Sequence, residues 1–356
     1  MRIPEQDRRG RGAVSNAVGR FEPLARDAFD DGWAQEERAA PLRTEVGVDA
    51  ARTVLARNQS PDLPFDRSVN PYRGCEHGCV YCFARPSHAY LGLSPGLDFE
   101  TKLFAKPDAA ARLAAELARP SYRPAPIAIG TNTDPYQPIE RTHLVTRSVL
   151  RTLWDWRHPV SLLTKNALIL RDLDLLSEMA AAGLARAALS VTTLDRKLAR
   201  DLEPRAPTPA RRLEAIEGLA RAGVPVGLMM GPVIPGLNDH ELEAVFEAGR
   251  DAGAAWADYV VLRLPREVAE LFKEWLRERR PEREAKVMTA VRSMFGGRDY
   301  DPTWRVRQRG DGPVASLIAQ RARLAKRRFG LEKTLPPLRT DLFGPPEARR
   351  QLALGL

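Results

Sequence analysis

The chain has 356 residues, 44% of them hydrophobic, and a formal net charge of +9. Its apolar residues form no run of about 18, which excludes a transmembrane helix. The polar, Arg-rich start lacks the apolar core of a signal peptide, so the expected address is the cytoplasm. The three cysteines stand within eight residues of each other, which excludes a disulfide framework and points to a metal or redox centre in a reducing compartment.

Residues 1–60 are rich in charge, Gly and Ala with little periodicity, and read as a flexible charged arm. From Arg67 onward, short apolar runs alternate with helical patterns. The runs are RSVNPY before the cysteines, PIAIG at Pro126 to Gly130, VSLLT at Val160 to Thr164, RAALSV at Arg186 to Val191, VPVGLMMG at Val224 to Gly231 and ADYVVLRL at Ala257 to Leu264. Segments such as KPDAAARLAAELA and PTPARRLEAIEGLARAG carry the boundary residues of helices. Six strand-helix units in series predict an α/β fold with parallel strands and right-handed crossovers: a partial TIM barrel, (β/α)6, spanning residues 61–280. Residues 281–356 follow as a basic helical extension.

In such a barrel the chemistry lies on loops at the C-terminal strand ends. The polar clusters of this chain fall there: GCEHGCVYC after the first strand, TNTDPYQPIE after the second, TKN after the third, TTLD and LEPR after the fourth, GPVIPGLND after the fifth. Cys75, Cys79 and Cys82, spaced C-x3-C-x2-C, are close enough for one loop to wrap them around one inorganic centre. A tetrahedral zinc ion needs a fourth ligand, for which His77 or His88 is available, although a solvated surface is the expected place of His77. An iron-sulfur cube held by three thiolates instead leaves one iron open to an outside ligand. Gly74 and Gly78 suit a tight loop of this kind.

This cysteine pattern, with Tyr81 directly before the last thiol, resembles the signature of the radical S-adenosylmethionine (SAM) superfamily. The segment TDPYQPIE resembles its spore photoproduct lyase-like branch. The resemblance implies an enzyme whose [4Fe-4S] cluster, on Cys75, Cys79 and Cys82, binds S-adenosyl-L-methionine at the open iron. It also implies reductive cleavage to methionine and a 5′-deoxyadenosyl radical, which takes a hydrogen atom from a substrate. Cofactor contacts then fall to Tyr81, to Thr131, Asn132, Thr133 and Asp134 for the ammonium group, and to Lys165. Ser190 and Thr192 serve ribose or carboxylate oxygens, and Arg205 the carboxylate, with Glu203 holding it. Val233 and Ile234 face the adenine, and Glu140 orients the second loop. An electron donor such as flavodoxin or ferredoxin is implied as a partner.

Spore photoproduct lyases repair DNA, and several return a hydrogen atom from an additional cysteine. This chain has none beyond the three, so that activity needs another donor, such as Tyr136 or Tyr259. The basic run SLIAQRARLAKRRFGLEK makes DNA or RNA the leading macromolecular substrate. The alternative from another class is a non-catalytic zinc or iron-sulfur protein that binds nucleic acid.

Overall fold

Ten strands order the computed structural model, which describes residues 8–22 and 42–346. In chain order they are β1 (Glu45–Val48), β2 (Leu55–Arg57), β3 (Arg67–Val69), β4 (Tyr72–Arg73), β5 (Lys102–Ala105), β6 (Ile127–Ile129), β7 (Val160–Thr164), β8 (Ala185–Ser190), β9 (Val226–Val233) and β10 (Trp256–Val261). β3, β6, β7, β8, β9 and β10 lie side by side, all parallel, in their order along the chain. These are the six apolar runs of the sequence. Every residue of β3 and β6 is buried, as expected of parallel strands covered on both faces.

β2 adds an antiparallel edge beside β3, while β1, β5 and β4 form a separate three-stranded sheet. Two of the helices between the strands are capped by short polar side chains. Asp195 accepts from the amides of Lys197 and Leu198, and Thr208 accepts from that of Arg211 ahead of Pro209–Arg221. Beyond β10, the helix Gly312–Arg328 buries Ala315, Ile318, Ala322 and Ala325. It packs on β10 and the helix Leu242–Asp251, so this helix of the C-terminal extension is part of the core.

The charged arm is more structured than its composition suggests. Ala13 and Val14 are buried, with the side chains of Arg8 and Arg11. The reason is a buried carboxylate: Glu100 accepts from the main-chain amides of Gly12 and Ala13, each at 2.9 Å, and pairs with Arg85. Arg11 in turn donates to the Glu100 carbonyl at 2.9 Å. β1 and β2 also lie within the span read as an arm; the remainder of that span, residues 1–7 and 23–41, lies outside the described residues.

Glu100 and Arg85 are both fully buried, so removing one charge strands the other. We expect Glu100→Gln to destabilise the chain by about 3–5 kcal/mol, read as a lowered urea midpoint. An unchanged midpoint would show that the ion pair is dispensable.

Candidate functional site

A cleft of about 180 Å³ opens at the C-terminal ends of the parallel strands. Its walls are the cysteine loop, the Gly130–Asp134 turn after β6, Leu163–Lys165, Ser190, Met229 with Gly231 and Pro232, and Val260, Val261 and Arg263. Cys75, Cys79 and Cys82 all line it as free thiols. The loop that carries them turns through left-handed backbone at Gly74 (φ 73°) and Gly78 (φ 69°). A Cβ at position 78 would lie 2.7 Å from a Glu100 carboxylate oxygen, so only glycine fits there.

A loop without secondary structure must find partners for its backbone elsewhere, and here they come from buried side chains. Thr133 donates to the Gly74 carbonyl at 2.6 Å. Gln137 donates to the same oxygen at 3.2 Å and accepts from the Glu76 amide at 2.9 Å. Arg85 donates to the Cys79 carbonyl through Nε at 3.0 Å and Nη2 at 2.8 Å. Glu140 accepts from Tyr72, Arg171 and the Thr146 amide, tying the β6 loop to β4.

The TDPYQPIE segment therefore braces the cysteine loop. Asp134, expected to meet the cofactor, has both oxygens engaged: Thr164 Oγ1 donates at 2.6 Å, the Tyr136 amide at 2.9 Å and the Lys165 amide at 2.8 Å. His77 stands 3.5 Å away and is 1% exposed, a buried residue and not the solvated one expected. Burial alone would raise the Asp134 carboxyl, but His77, Thr164 and the Lys165 amide together hold it below the usual range. Thr131 and the Asn132 amide both donate to Asn70 Oδ1, at 3.3 Å and 3.0 Å.

A second polar group lies under β8 and β9. Lys165 Nζ is 3.2 Å from Glu203 and donates to Ser190 Oγ at 2.7 Å, Thr192 Oγ1 at 3.2 Å and the Gly231 carbonyl at 3.0 Å. Tyr81 and Arg212 both donate to Glu203. Burial opposes ionisation of Glu203, yet Arg212, Lys165 and the two hydroxyls hold its carboxyl far below the ordinary value. The sequence reading had given Glu203 to Arg205. Arg205 instead pairs with Glu76 at 2.7 Å, 38% exposed and outside the cleft lining. Arg212, inside the helix Pro209–Arg221, is a buried partner of Glu203 that no local sequence pattern marks.

Val233 and Ile234 are fully buried and lie outside the lining, which Gly231 and Pro232 supply. The shift arises because β9 continues to Val233, two residues past the expected strand end. Tyr136 and Tyr259 are also buried and away from the lining.

The donor set suits an iron-sulfur cube. Three thiols share one cleft, and neither histidine is placed to complete a zinc site: His77 nitrogens face Asn166 at 3.1 Å and Asp134, while His88 Nε2 lies 2.8 Å from the Lys102 carbonyl, off the cleft. Among the described residues no three His, Cys, Asp or Glu side chains converge on a single ion. Burial pushes all three thiols up, so metal binding must displace their protons.

A half-barrel of parallel strands with three thiols on the loop beyond its first strand defines the class. Residues 69–248 match the family model of the radical SAM superfamily, and the chain belongs to that superfamily. It is thus an enzyme class built on a [4Fe-4S] cluster and SAM. An uncharacterized protein of Mycobacterium tuberculosis is 37% identical over 299 residues, 81% of this chain and 86% of the relative. One of Methanocaldococcus jannaschii is 27% identical over 60% of this chain and 76% of its own length. Among solved structures, a variant of spore photoproduct lyase superposes with a TM-score of 0.54 at 17% identity, covering 80% of this chain and 78% of its own. The same enzyme complexed with dinucleoside spore photoproduct gives 0.52 at 16%, over the same shares. The likeness is one of fold.

Two outcomes follow. Gln137→Ala leaves the Glu76 amide and Gly74 carbonyl short of buried partners; we expect a loss of about 1–3 kcal/mol in urea unfolding and lower iron uptake per chain on reconstitution. Because Asp134 and Glu203 are depressed in the folded state, their stabilisation is complete above the ordinary carboxylate range and is lost as pH falls through their lower folded values. Asp134→Asn should therefore flatten the acid limb of a plot of Tm against pH.

Proposed function

We propose that Cys75, Cys79 and Cys82 hold the [4Fe-4S] cluster, and that this cleft binds S-adenosylmethionine for reductive cleavage ahead of hydrogen abstraction from a substrate. The single observation that carries the reading is that all three cysteines line one cleft walled by the ends of the parallel strands. When bound, the cluster supplies an iron without a protein thiolate and the electron that splits the sulfonium.

The chain's own residues position and enclose. Thr133, Gln137 and Arg85 fix the loop carbonyls, so the loop whose thiols would hold the cluster is braced from outside. Lys165, Ser190 and Thr192 present donors and acceptors at the ends of β7 and β8, suited to the methionyl and ribose groups. Asn132, on the rim, offers its exposed side-chain carboxamide, whereas the carboxylate of Asp134 serves the scaffold. Gly231 and Pro232 give the flat apolar wall that an adenine ring requires. The electron arrives from a carrier such as flavodoxin or ferredoxin.

For the substrate, nucleic acid is the macromolecule that the surface favours. Arg323, Arg327 and Arg328 project as exposed cations from the helix Gly312–Arg328, whereas Arg321 is paired with Glu243 at 2.5 Å and Lys326 lies 3.8 Å from Asp258. Photoproduct lyase chemistry is the weaker reading, because neither Tyr136 nor Tyr259 reaches the cleft to return a hydrogen atom.

The test is anaerobic. Purified protein should be brown, carry about four irons per chain, and release 5′-deoxyadenosine from SAM after reduction; Cys79→Ala should abolish that product. A colourless zinc protein, or an iron protein that leaves SAM intact, would overturn the proposal.

A further inference from the structure

Beside the cysteines, the cleft is lined by four side chains able to carry charge: His77, Asp134, Lys165 and Arg263. Three of them are already matched within the protein. Lys165 has Glu203 at 3.2 Å, and Asp134 and His77 face each other at 3.5 Å.

Arg263 is different. Among the described residues no carboxylate pairs with it, and its Nε is buried with no hydrogen-bond acceptor. Its guanidinium instead stands 4.4 Å over the ring of Phe83, the residue directly after Cys82, which is 42% exposed. A stacked guanidinium keeps its edge N–H groups free and aimed in the plane of the fork, so it is preorganised for a planar or tetrahedral oxyanion. The contact also joins the cysteine loop to the residue two beyond the end of β10, the last of the parallel strands. Arg263 thus stands where a substrate entering over the exposed Phe83 ring would pass.

We propose that Arg263 receives an oxyanion of the substrate, a phosphate or carboxylate, at the mouth of this cleft. The inference rests on the reading that this cleft is where SAM and substrate meet. Arg263 is a specificity residue: the uncompensated cation in the cleft recruits an anionic substrate, and Phe83 holds the fork in place. The methionyl carboxylate of SAM is the other oxyanion available, and the experiment separates the two.

Reconstituted full-length holoenzyme, with its iron content verified first, is titrated calorimetrically with SAM, and the SAM-bound form then with pyrophosphate and with succinate. The expected result is that wild type binds at least one of these anions, that Arg263→Gln weakens that binding about tenfold or more, and that Arg263→Lys, which keeps charge but loses the fork, falls between. SAM affinity should change by less than about threefold, as no cofactor contact is assigned to Arg263. The lysine variant keeps the test open if the glutamine variant fails to fold. The proposal is overturned if SAM weakens in place of the anion, if neither weakens, or if the SAM-bound wild type binds neither probe. Failure to assemble the cluster or bind SAM at the outset would instead sink the functional reading itself.

Discussion

The constraint on which this structure turns is hydrogen-bond satisfaction in the cysteine loop. The stretch that presents three thiols to one cleft runs here as turn and coil, outside any helix or strand. Its buried amides and carbonyls therefore go without a ladder. The chain answers with long side chains from elsewhere: Gln137 and Thr133 on Gly74 and Glu76, Arg85 on Cys79, and main-chain contacts from Val80 to Leu202 and from Cys75 to Phe99. Arg85 is itself anchored by the buried carboxylate of Glu100, and the other supports come from segments outside the loop, so the rigidity of the thiols is borrowed from its surroundings.

That arrangement explains why the site is so rich in buried charge. Glu100, Glu140, Asp134 and Glu203 each collect donors from two or more distant segments. Ion pairs of this kind contribute little net stability over apolar packing, but they penalise any other arrangement of their partners heavily. A cofactor site gains from that penalty, since catalysis needs its groups held to within a fraction of an ångström.

The six parallel strands were legible because strands buried on both faces read as unbroken apolar runs ended by polar turns. The cysteine spacing was legible because it is local. The roles of the second loop were not: Thr133, Asp134 and Gln137 act across some sixty residues of sequence on Gly74, Glu76 and His77, and nothing in the TDPYQPIE string says whether its oxygens face a ligand or a neighbouring loop. Arg212 was missed for a related reason, since its burial depends on Glu203 and not on its own helix. Val233 and Ile234 were misplaced by two residues of strand length. β1 and β2 escaped notice because they are short, largely exposed and charged.

The contact between Glu100 and the N-terminal segment has one more implication. Glu100 grips the peptide groups of Gly12 and Ala13, and a Cβ at position 12 would lie 1.8 Å from the Gly78 carbonyl oxygen, so this segment meets the cysteine loop backbone to backbone. The family match opens at residue 69, some fifty residues downstream of this piece, which closes against the back of the cysteine loop. The edge of the family match and the edge of the packed unit are thus different lines in this chain, and trimming it to the first would unroof the second.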